Sequence, residues 1–470
     1  MSKNKKIIII TIISLIVLTG IYLLYNTYAL TTKTTNNGDY YTINLTDSNI
    51  VSLAANEEKT VIYQINNTNN GTVSYGVAYN NSNVAVKVYS DSKDKVTGTI
   101  GANDNKYIKL HLKNKTSSNT TVEITAVMGY ENGGDLIVPS DSTLVTKTYT
   151  NSFAGYITEL YDNSPKTPVT NNSITYQYDT TNNLMQDIAG NTRYYGASPK
   201  NYIYFNCDSY PATNCELWRI IGVFDGKVKL IRNESIGSYS WDNKNTTTGA
   251  ETAYGKNDWT TARLMKLLNP STYYSTDTND NGKGQSLYWN ATSGTCYSGQ
   301  NNATTSCNFT STGIKDTTRN MIAETTWNLG GWDTSDIYSN VMYEKERGTT
   351  VYSGRSTTWA GKIALAYPSD YGYAADLSKC FQALHNYDDS TCKSNDWMYS
   401  VITNSGNGYG WLLFPHKNSS SVLRVSMSGY ARNYGGAAGT EGVFPVLYLN
   451  SKQIIIGGDG SQNNPYQLKA

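Results

Sequence analysis

The residues best suited to chemistry in this chain are its histidines and cysteines, and it has few of either. His111, His385 and His416 lie far apart in the sequence, which argues against a metal centre with several histidine ligands. The six cysteines form three neighbouring pairs, 8, 11 and 12 residues apart, without the close Cys-x-x-Cys spacing of zinc sites. In an exported chain such neighbours most simply form local disulfides, although sequence alone allows other pairings. The predicted bonds are Cys207–Cys215, Cys296–Cys307 and Cys380–Cys392.

A calcium site is the next possibility. Asp277, Asn279 and Asn281 alternate before Gly282, as in the first half of a calcium-binding loop whose oxygen ligands point to one centre. The twelfth position of such a loop needs a bidentate glutamate, but here it holds Tyr288. We therefore expect a polar turn and no metal cofactor, with Ca²⁺ as the weaker alternative.

The acidic residues give no clear catalytic pair. Asp370 has no second carboxylate near it in sequence, and Asp388 and Asp389 are adjacent, which in a strand directs them to opposite faces. Residues 344–347 alternate acidic and basic side chains, a pattern typical of an exposed, salt-bridged stretch. No serine lies in a Gly-x-Ser-x-Gly motif. A glycosidase needs only two carboxylates, so hydrolysis stays open, but we expect a protein that is not an enzyme and has no catalytic residues.

Ligand binding has better support than catalysis, in residues 409–439. Aromatic faces can stack on sugar rings or apolar side chains, while arginine and asparagine supply directional hydrogen bonds. Small residues separate these side chains, and the glycines at 435 and 436 favour exposure of the last four of the set. The predicted ligand-binding residues are Tyr409, His416, Arg424, Tyr430, Arg432, Asn433 and Tyr434.

The tryptophans, in contrast, are predicted to build the core. Each lies within or beside an apolar element, where a large side chain gains most from burial. The predicted core tryptophans are Trp218, Trp327, Trp359, Trp397 and Trp411.

Composition restricts the class of protein that carries these residues. The chain has 470 residues, enough for two or three domains. Its 38 basic and 37 acidic residues give a net charge of +1, and only 16% of residues are charged. This balance argues against a nucleic-acid partner. With 40 tyrosines and 9 tryptophans, the chain has enough apolar surface to fold.

The N-terminus predicts export. Lys3, Lys5 and Lys6 precede an uncharged apolar run at residues 7–25, which as a helix would span about 28 Å, close to the hydrocarbon thickness of a bilayer. Basic residues in front of such a run keep the N-terminus in the cytoplasm. We therefore predict that residues 1–30 are a single-pass membrane anchor and that the bulk is extracellular. The alternative is a cleaved signal peptide, which would make the protein secreted.

Residues 31–151 predict a β-sandwich domain. Ile108, Leu110 and Leu112 alternate with polar residues, and Val122 and Ile124 do the same, as in half-buried strands. Further alternating segments occur at residues 61–65, 73–79 and 84–88, separated by turn-forming residues. Several short strands without a helical stretch predict an immunoglobulin-like sandwich that acts as a stalk. His111 falls on the polar face of its strand and is expected to be solvated.

Residues 152–470 predict an α+β domain, after a proline-containing linker within residues 150–175. Strands are predicted at residues 201–206, 217–224 and 227–231, with a hairpin turn at Asp225-Gly226. The chain then predicts helices at residues 258–268 and 312–328. Four strands follow, at residues 409–414, 422–427, 443–449 and 454–456. Strands at both ends that enclose helices, without βαβ alternation, indicate a mostly antiparallel sheet.

Several motifs of this domain resemble an exported domain of surface proteins from gut firmicute bacteria. The resemblance covers about residues 152–468, and its body and closing strand are similar to C-type-lectin-like folds of the formylglycine-generating-enzyme kind. It rests on Gly196-Ala-Ser-Pro-Lys-Asn-Tyr-Ile-Tyr-Phe-Asn-Cys207, Cys215-Glu-Leu-Trp-Arg-Ile-Ile-Gly-Val-Phe224, Leu267-Leu-Asn-Pro270, Gly294-Thr-Cys-Tyr297, Ile363-Ala-Leu-Ala-Tyr-Pro-Ser-Asp-Tyr-Gly-Tyr373, Asn395-Asp-Trp397, Gly442-Val-Phe-Pro-Val-Leu-Tyr-Leu449, Gly457-Gly-Asp-Gly460 and Asn464-Pro-Tyr466.

The resemblance implies a lectin-like domain whose ligands meet loops and strand faces late in the chain. Phe444 occupies a position where members of the family have arginine, so a role of that arginine does not transfer. The catalytic cysteines of formylglycine-generating enzymes have no counterpart here, so their oxidase chemistry is not implied.

We therefore expect a bacterial cell-surface adhesion protein that presents a lectin-like domain on a β-sandwich stalk. Its expected partners are a glycan or protein ligand and, through the N-terminal helix, the membrane. The alternatives are a secreted hydrolase that acts on glycans and a structural component of a surface coat.

Overall fold

The chain folds into two compact units, Met1–Asn151 and Ser152–Ala470, called here the N-terminal and C-terminal units. The predicted anchor at residues 1–30 lies outside the described residues. Within the part of the chain that is described, no helix is long and apolar enough to cross a bilayer. The computed structural model describes residues 41–45, 49–67, 71–89, 98–129, 136, 138–145, 148–149, 152–275, 280, 282–333, 337–403 and 408–469.

The described residues of the N-terminal unit form short strands. These are β1 (Tyr41–Leu45), β2 (Ile50–Leu53), β3 (Glu58–Asn67), β4 (Val73–Tyr79), β5 (Val84–Tyr89), β6 (Gly98–Ile100), β7 (Asn105–Asn114), β8 (Thr120–Gly129), β9 (Thr143–Leu144) and β10 (Thr148–Tyr149). One sheet has the order β1-β3-β7-β5-β10, and the other has the order β2-β8-β4-β6 with β9 also paired to β4. The strands pair antiparallel except β10, which runs parallel to β5.

Alternating apolar residues explain why these two sheets pack together. Ile108 and Leu110 of β7 are buried, and so are Val122 and Ile124 of β8 in the other sheet. All four belong to one core cluster, so each sheet turns one face inward, as in a β-sandwich. The strands predicted for this unit are confirmed. His111 lies in β7, but its side chain is outside the described part of the structure.

The described residues of the C-terminal unit form one large sheet of nine strands, one smaller sheet of five strands and three two-stranded sheets. Its strands are β11 (Thr167–Asn171), β12 (Ile174–Asp179), β13 (Leu184–Gln186), β14 (Thr192–Tyr194), β15 (Tyr202–Phe205), β16 (Glu216–Phe224), β17 (Lys227–Arg232), β18 (Ser238–Ser240), β19 (Ser293–Tyr297), β20 (Thr304–Asn308), β21 (Thr325–Asn328), β22 (Thr358–Gly361), β23 (Ile363–Ala364), β24 (Gly410–Pro415), β25 (Ser421–Val425), β26 (Ala431–Gly436), β27 (Thr440–Gly442), β28 (Val446–Tyr448), β29 (Ile454–Gly457) and β30 (Gln467–Lys469). The large sheet has the order β11-β12-β13-β14-β16-β17-β28-β23, with β15 paired to β16. The smaller sheet has the order β18-β27-β24-β25-β26. The two-stranded sheets pair β19 with β20, β21 with β22 and β29 with β30.

Short helices accompany these sheets. They are α1 (Phe153–Asn163), α2 (Arg263–Leu268), α3 (Asp316–Arg319), α4 (Ser339–Glu346), α5 (Pro368–Ala374), α6 (Ser390–Ser394) and α7 (Trp397–Thr403), with 3-10 turns at Trp259–Thr261, Ser271–Tyr273 and Leu384–Asn386. The helix predicted at residues 258–268 is therefore split into a 3-10 turn and α2. The protein is β-rich with few helices, which confirms a β-rich multidomain fold.

The predicted linker within residues 150–175 is wrong for most of its length. Ser152 caps α1, because its Oγ accepts a hydrogen bond from the backbone N–H of Gly155 at 3.1 Å. Phe153, Ile157 and other apolar side chains of α1 are buried in the core. The helix ends before Pro165, so the prolines stop this helix but do not mark a flexible segment.

The predicted helix at residues 312–328 is also wrong. Only α3 is helical there, and β21 pairs with β22 so that Trp327 lies opposite Trp359. The threonines at 325 and 326 and the tryptophan that follows favour a strand over a helix. At the start of the segment, a Cβ on Gly313 would lie 2.5 Å from the Cα of Ala291, so the chain packs there too closely for a side chain.

Large aromatic side chains fill the core of the C-terminal unit. The five tryptophans predicted to be core are all buried, and the most exposed of them, Trp359, is only 8% exposed. This prediction is confirmed. They are Trp218, Trp327, Trp359, Trp397 and Trp411.

Candidate functional site

Three local disulfides hold the C-terminal unit, and the predicted pairing is confirmed. The bonds are Cys207–Cys215, Cys296–Cys307 and Cys380–Cys392. They use all six cysteines of the sequence. No cysteine is therefore left as a nucleophile or metal ligand, and the bonds indicate an extracellular or otherwise oxidising environment.

A groove of about 410 Å³ is the candidate binding site of the C-terminal unit. Its volume is within the range of pockets that hold small-molecule ligands. The turn between β24 and β25 forms one side, and the loop around residues 251–254 forms another. Hydroxyl, amide, carboxylate and tyrosine side chains predominate in the lining, which consists of Glu251, Thr252, Tyr254, Tyr352, Asn418, Ser419, Ser420, Ser421 and Gly436.

A buried asparagine fixes the turn that carries the serines of the groove. Asn257 is only 1% exposed, and its Nδ2 donates to the carbonyl oxygens of His416 and Ser419 at 2.8 Å each and of Ser421 at 3.2 Å. Three backbone acceptors on one amide hold the turn in a single shape. The backbone of the turn that carries these hydroxyl groups is therefore held by the buried layer below it.

The opposite side of the groove depends on a glycine. Gly436 lies at the end of β26, and a Cβ there would lie 2.1 Å from the carbonyl oxygen of Tyr254. The same carbonyl accepts a hydrogen bond from the backbone N–H of Ala438 at 3.0 Å. This close approach of two backbones sets the loop beside the sheet and leaves the side chain of Tyr254 56% exposed. An exposed tyrosine ring beside polar groups is suited to stacking on a ligand.

A charged pair orients a second tyrosine of the groove. The Nη2 of Arg355 donates to both carboxylate oxygens of Glu251 at 2.8 Å, and the guanidinium lies 4.8 Å from the centre of the Tyr352 ring. Partial burial opposes ionisation of Glu251, but the hydrogen bonds from Arg355 outweigh it and lower the pKa of Glu251. The groove thus contains a fixed carboxylate acceptor.

Of the predicted ligand-binding residues, His416 is the one that touches the lining of the groove among those whose side chains are described. Its Nδ1 accepts from the backbone N–H of Asn418 at 3.1 Å and lies 3.2 Å from the Oγ of Ser419. Its ring packs edge-on against Trp332 at 4.8 Å. Burial lowers the pKa of His416, which favours the neutral ring that can accept this hydrogen bond. His416 therefore supports the groove.

Arg424, a buried residue of the smaller sheet, contacts Tyr409, which directly precedes β24. Arg424 is 9% exposed and forms an ion pair with Glu441, and its guanidinium lies 4.3 Å from the centre of the Tyr409 ring. Trp411, which pairs with Arg424 in register, donates from its indole Nε1 to the carbonyl of Tyr239 at 2.9 Å. The Arg424 side chain is therefore engaged in contacts within the protein.

Tyr430 and Arg432 form a separate pair at the other end of β26. The guanidinium of Arg432 lies 3.9 Å from the centre of the Tyr430 ring, and Arg432 is exposed. The Tyr430 hydroxyl lies 3.4 Å from Oδ2 of Asp388. The side chains of Asn433 and Tyr434 are outside the described part of the structure. Gly436 lies six positions after Tyr430, about 20 Å along a strand, so this pair is not part of the groove.

A buried charged site of the C-terminal unit was not predicted. Asp370 is 1% exposed, yet one carboxylate oxygen accepts from Arg193 at 2.9 Å and the other accepts from Lys229 and from the backbone of Tyr367. Arg193 also forms an ion pair with Asp187 at 2.6 Å. We call these four charged side chains the ion cluster. Burial opposes ionisation of Asp370, but Lys229 and Arg193 outweigh it and keep its pKa below the usual value.

Two sequence signals could have located this cluster. Residues 367–370 carry proline at the first helical position and aspartate at the third, the pattern of a helix start with a capping box. Lys229 lies within β17 between apolar neighbours, all buried. A charged residue in such a strand requires a buried partner.

A second buried carboxylate lies next to the ion cluster and corrects the prediction for residues 344–347. Glu346 is 0% exposed, and its carboxylate accepts from the backbone N–H and the Oγ of Ser369 at 2.8 and 2.7 Å. Arg347 donates to it at 3.2 Å. Burial raises the pKa of Glu346 to about 7, against the opposing effect of Arg347. The prediction of an exposed, salt-bridged stretch is therefore wrong at Glu346, whereas Glu344 and Arg347 are exposed and Lys345 and Arg347 form ion pairs.

The loop considered for calcium is only partly described. Asp277, Asn279 and Asn281 lie outside the described residues. Asp280 is fully buried and pairs with Arg263 at 2.9 Å and with Lys266 at 2.5 Å, so its carboxylate is committed to two cations. In the described ranges, no group of three or more histidine, cysteine, aspartate or glutamate side chains is placed to hold a metal ion.

Comparison with known proteins supplies no family for the chain. No protein-family model matches it, and no curated protein matches its sequence. The function is therefore argued from the geometry of the groove and of the buried charges.

Proposed function

We propose that the chain is an exported binding protein of the bacterial surface and that its groove binds a glycan. The N-terminal residues 1–30 would anchor it in the membrane, and the β-sandwich would hold the C-terminal unit away from the surface. The groove carries this proposal, because it combines exposed tyrosine with fixed hydroxyl, amide and carboxylate groups.

The residue types of the lining are suited to a sugar. The exposed ring of Tyr254 offers a face for the C–H groups of a pyranose, and the ring of Tyr352 is held beside it by Arg355. The hydroxyl groups of residues 419–421 and the carboxylate of Glu251 can pair with sugar hydroxyl groups. Since Arg355 orients Glu251 and Asn257 fixes the backbone of the turn, part of the ordering cost is already met before binding.

The finer fold assignments belong to this proposal. Two sheets with one shared core support an immunoglobulin-like sandwich for the N-terminal unit. Largely antiparallel sheets with short helices and three local disulfides support a C-type-lectin-like C-terminal unit. The motifs described above support the same assignment and favour a ligand site near the late strands.

Binding without turnover is the outcome favoured by the carboxylates. Among the described residues that line the groove, Glu251 is the one acidic side chain, and glycoside hydrolysis generally uses two. The fixed ion pair of Glu251 with Arg355 also keeps it ionised, unlike a general acid. We therefore expect the chain to retain a glycan and release no product.

A glycan array probed with the full chain tests this proposal. We expect retention of a subset of glycans and no reducing-end release from them. Tyr254→Ala should weaken that binding by about 1–3 kcal/mol, whereas Tyr254→Phe, which keeps the ring, should have a smaller effect. Release of sugar without retention would favour a hydrolase. Regular self-assembly with neither retention nor release would favour a coat component, and either result would refute the proposal.

A further inference from the structure

A second, smaller pocket lies beside the ion cluster. Its volume is about 170 Å³, below the range of pockets for drug-sized ligands, so it suits a ligand about the size of one sugar ring. The turn between β16 and β17, strand β21 and the end of α4 meet around it, and Tyr367 and Tyr448 also contribute to its wall. It shares no lining residue with the groove.

The buried charges next to this pocket balance each other. Arg193 and Lys229 face Asp187 and Asp370, which gives two cations and two anions. The ring of Phe224, which lines the pocket, lies 4.5 Å from the Arg193 guanidinium and 5.2 Å from the Lys229 ammonium. The ion cluster is thus covered by aromatic rings, and it leaves no net charge to attract a ligand.

The wall of the pocket itself carries charged side chains. Lys227 and Arg347 line the pocket with one carboxylate, Asp225, which is exposed at the tip of the hairpin turn. Arg347 uses its Nη1 for the carbonyl of Tyr343 at 3.0 Å and for Glu346. Within the described residues, Lys227 forms no ion pair. The ion pair of Arg347 with Glu346 uses Nη1, so Lys227 and the other N–H groups of Arg347 are the donors that can bind an anionic ligand.

The uncharged part of the wall offers the chemistry that recognises sugars. Tyr343 and Tyr448 supply aromatic surface, and Thr325, Thr326 and Asn328 supply hydroxyl and amide groups. The guanidinium of Arg347 lies 3.4 Å from the centre of the Tyr343 ring, and this stacking fixes one donor of the pocket. A ligand that matches both parts of the wall carries hydroxyl groups and a carboxylate.

We propose that this pocket binds a hexuronic acid residue, with its carboxylate at Lys227 and Arg347 and its ring against the tyrosines. The site is additional to the groove and does not depend on it. It would let the C-terminal unit bind an acidic polysaccharide at two separate points. A single polysaccharide molecule that reaches both sites would bind with higher avidity.

Titration calorimetry of the full chain with D-glucuronate and D-galacturonate tests the site, with D-glucose and D-galactose as neutral comparisons. We expect at least one uronate to bind about tenfold more tightly than its neutral counterpart, because the charged hydrogen bond is lost in the neutral sugar. Added salt should weaken the binding of the uronate and leave the binding of the neutral sugar unchanged. Equal binding of neutral and acidic sugars, or no binding of either uronate, would overturn the proposal.

Matched variants locate the binding. Lys227→Gln should lower the uronate affinity about fivefold, the scale of one partly exposed charged contact, without changing the thermal unfolding of the protein. Lys452→Gln, at an exposed lysine in the turn before β29, should change neither. Tyr254→Ala should leave uronate binding intact, so that loss of the groove and loss of this pocket are distinguishable. A uronate affinity unchanged in Lys227→Gln would place the binding elsewhere and refute the assignment.

Discussion

The two units of this protein bury polar groups in different ways. In the N-terminal unit, the buried polar side chains of the described residues are uncharged: Asn67, Ser74, Asn114 and Thr125. In the C-terminal unit, charged side chains such as Arg193, Lys229, Glu346 and Asp370 are 1% exposed or less. The core of the first unit follows from the alternation of apolar and polar residues. In the second unit, charged side chains that are far apart in the sequence also form buried ion pairs.

This difference determines what each unit loses when one contact is removed. A sandwich held by many similar apolar contacts loses the transfer and cavity energy of the group deleted. A buried charge that loses its partner is left without compensation in a medium where water cannot reach it. Perturbations of charge and disulfides should therefore act on the C-terminal unit and spare the N-terminal unit.

Reduction of the disulfides should give the largest separation of the two units. All six cysteines lie in the C-terminal unit, and each short loop contributes about 2.5–3 kcal/mol in the chain-entropy model. Denaturant unfolding with and without reductant should lower the transition of the C-terminal unit and leave that of the sandwich in place. Equal shifts of both transitions would mean that the units do not unfold independently.

Asp370→Asn should have the next largest effect. The change keeps the shape of the side chain but leaves Arg193 and Lys229 without their shared anion, so we expect a loss of about 3–5 kcal/mol in the C-terminal unit. Urea unfolding measures it. Asp389→Asn is the matched control, because Asp389 is exposed and caps α6, a position where asparagine caps equally well. A similar loss in both variants would contradict the role given to the ion cluster.

Glu346 should make the stability of the C-terminal unit depend on pH. Burial raises its pKa to about 7 in the folded state, so between the lower unfolded pKa and about 7 the folded state binds more protons than the unfolded state. The resulting stability is complete at acidic pH and is lost as the pH rises, by roughly 1.4 kcal/mol per pH unit. Glu346→Gln should unfold like the parent near pH 4 and become relatively more stable by pH 7. A parent and variant with parallel pH profiles would contradict this.

Substitutions of Tyr254 and Tyr430 should give the smallest effects. Tyr254→Ala should weaken glycan binding by about 1–3 kcal/mol, while Tyr430→Ala should weaken it less, because Tyr430 pairs with Arg432 at the other end of β26. Array binding and melting temperature should be measured for both variants. A larger loss for Tyr430→Ala would restore the surface predicted from sequence and displace the groove as the main site.

Local patterns in the sequence determined much of the fold. Alternation was enough for the strands of the sandwich, since the two faces of a half-buried strand differ in every second residue. Neighbouring cysteines in the chain were enough for the disulfides, because short loops are easily closed. Local patterns gave a wrong prediction, a helix, at residues 312–328. There β21 forms a strand because it pairs with β22, which lies about 30 residues further along the sequence.

The sites, in contrast, were decided by tertiary structure. The groove joins residues near 252, 352 and 420, and the ion cluster joins Asp187, Arg193, Lys229 and Asp370. In the sequence, Asp370 is a lone aspartate and Glu346 belongs to a charged stretch. The partners that explain their burial are distant in the sequence: Arg193 and Lys229 contact Asp370, and Ser369 contacts Glu346. Spacing along the chain determines which side of a strand or helix a residue takes. Which charges then meet, and which tyrosines stay open, depends on how distant elements pack, because burial and pairing are properties of the assembled core.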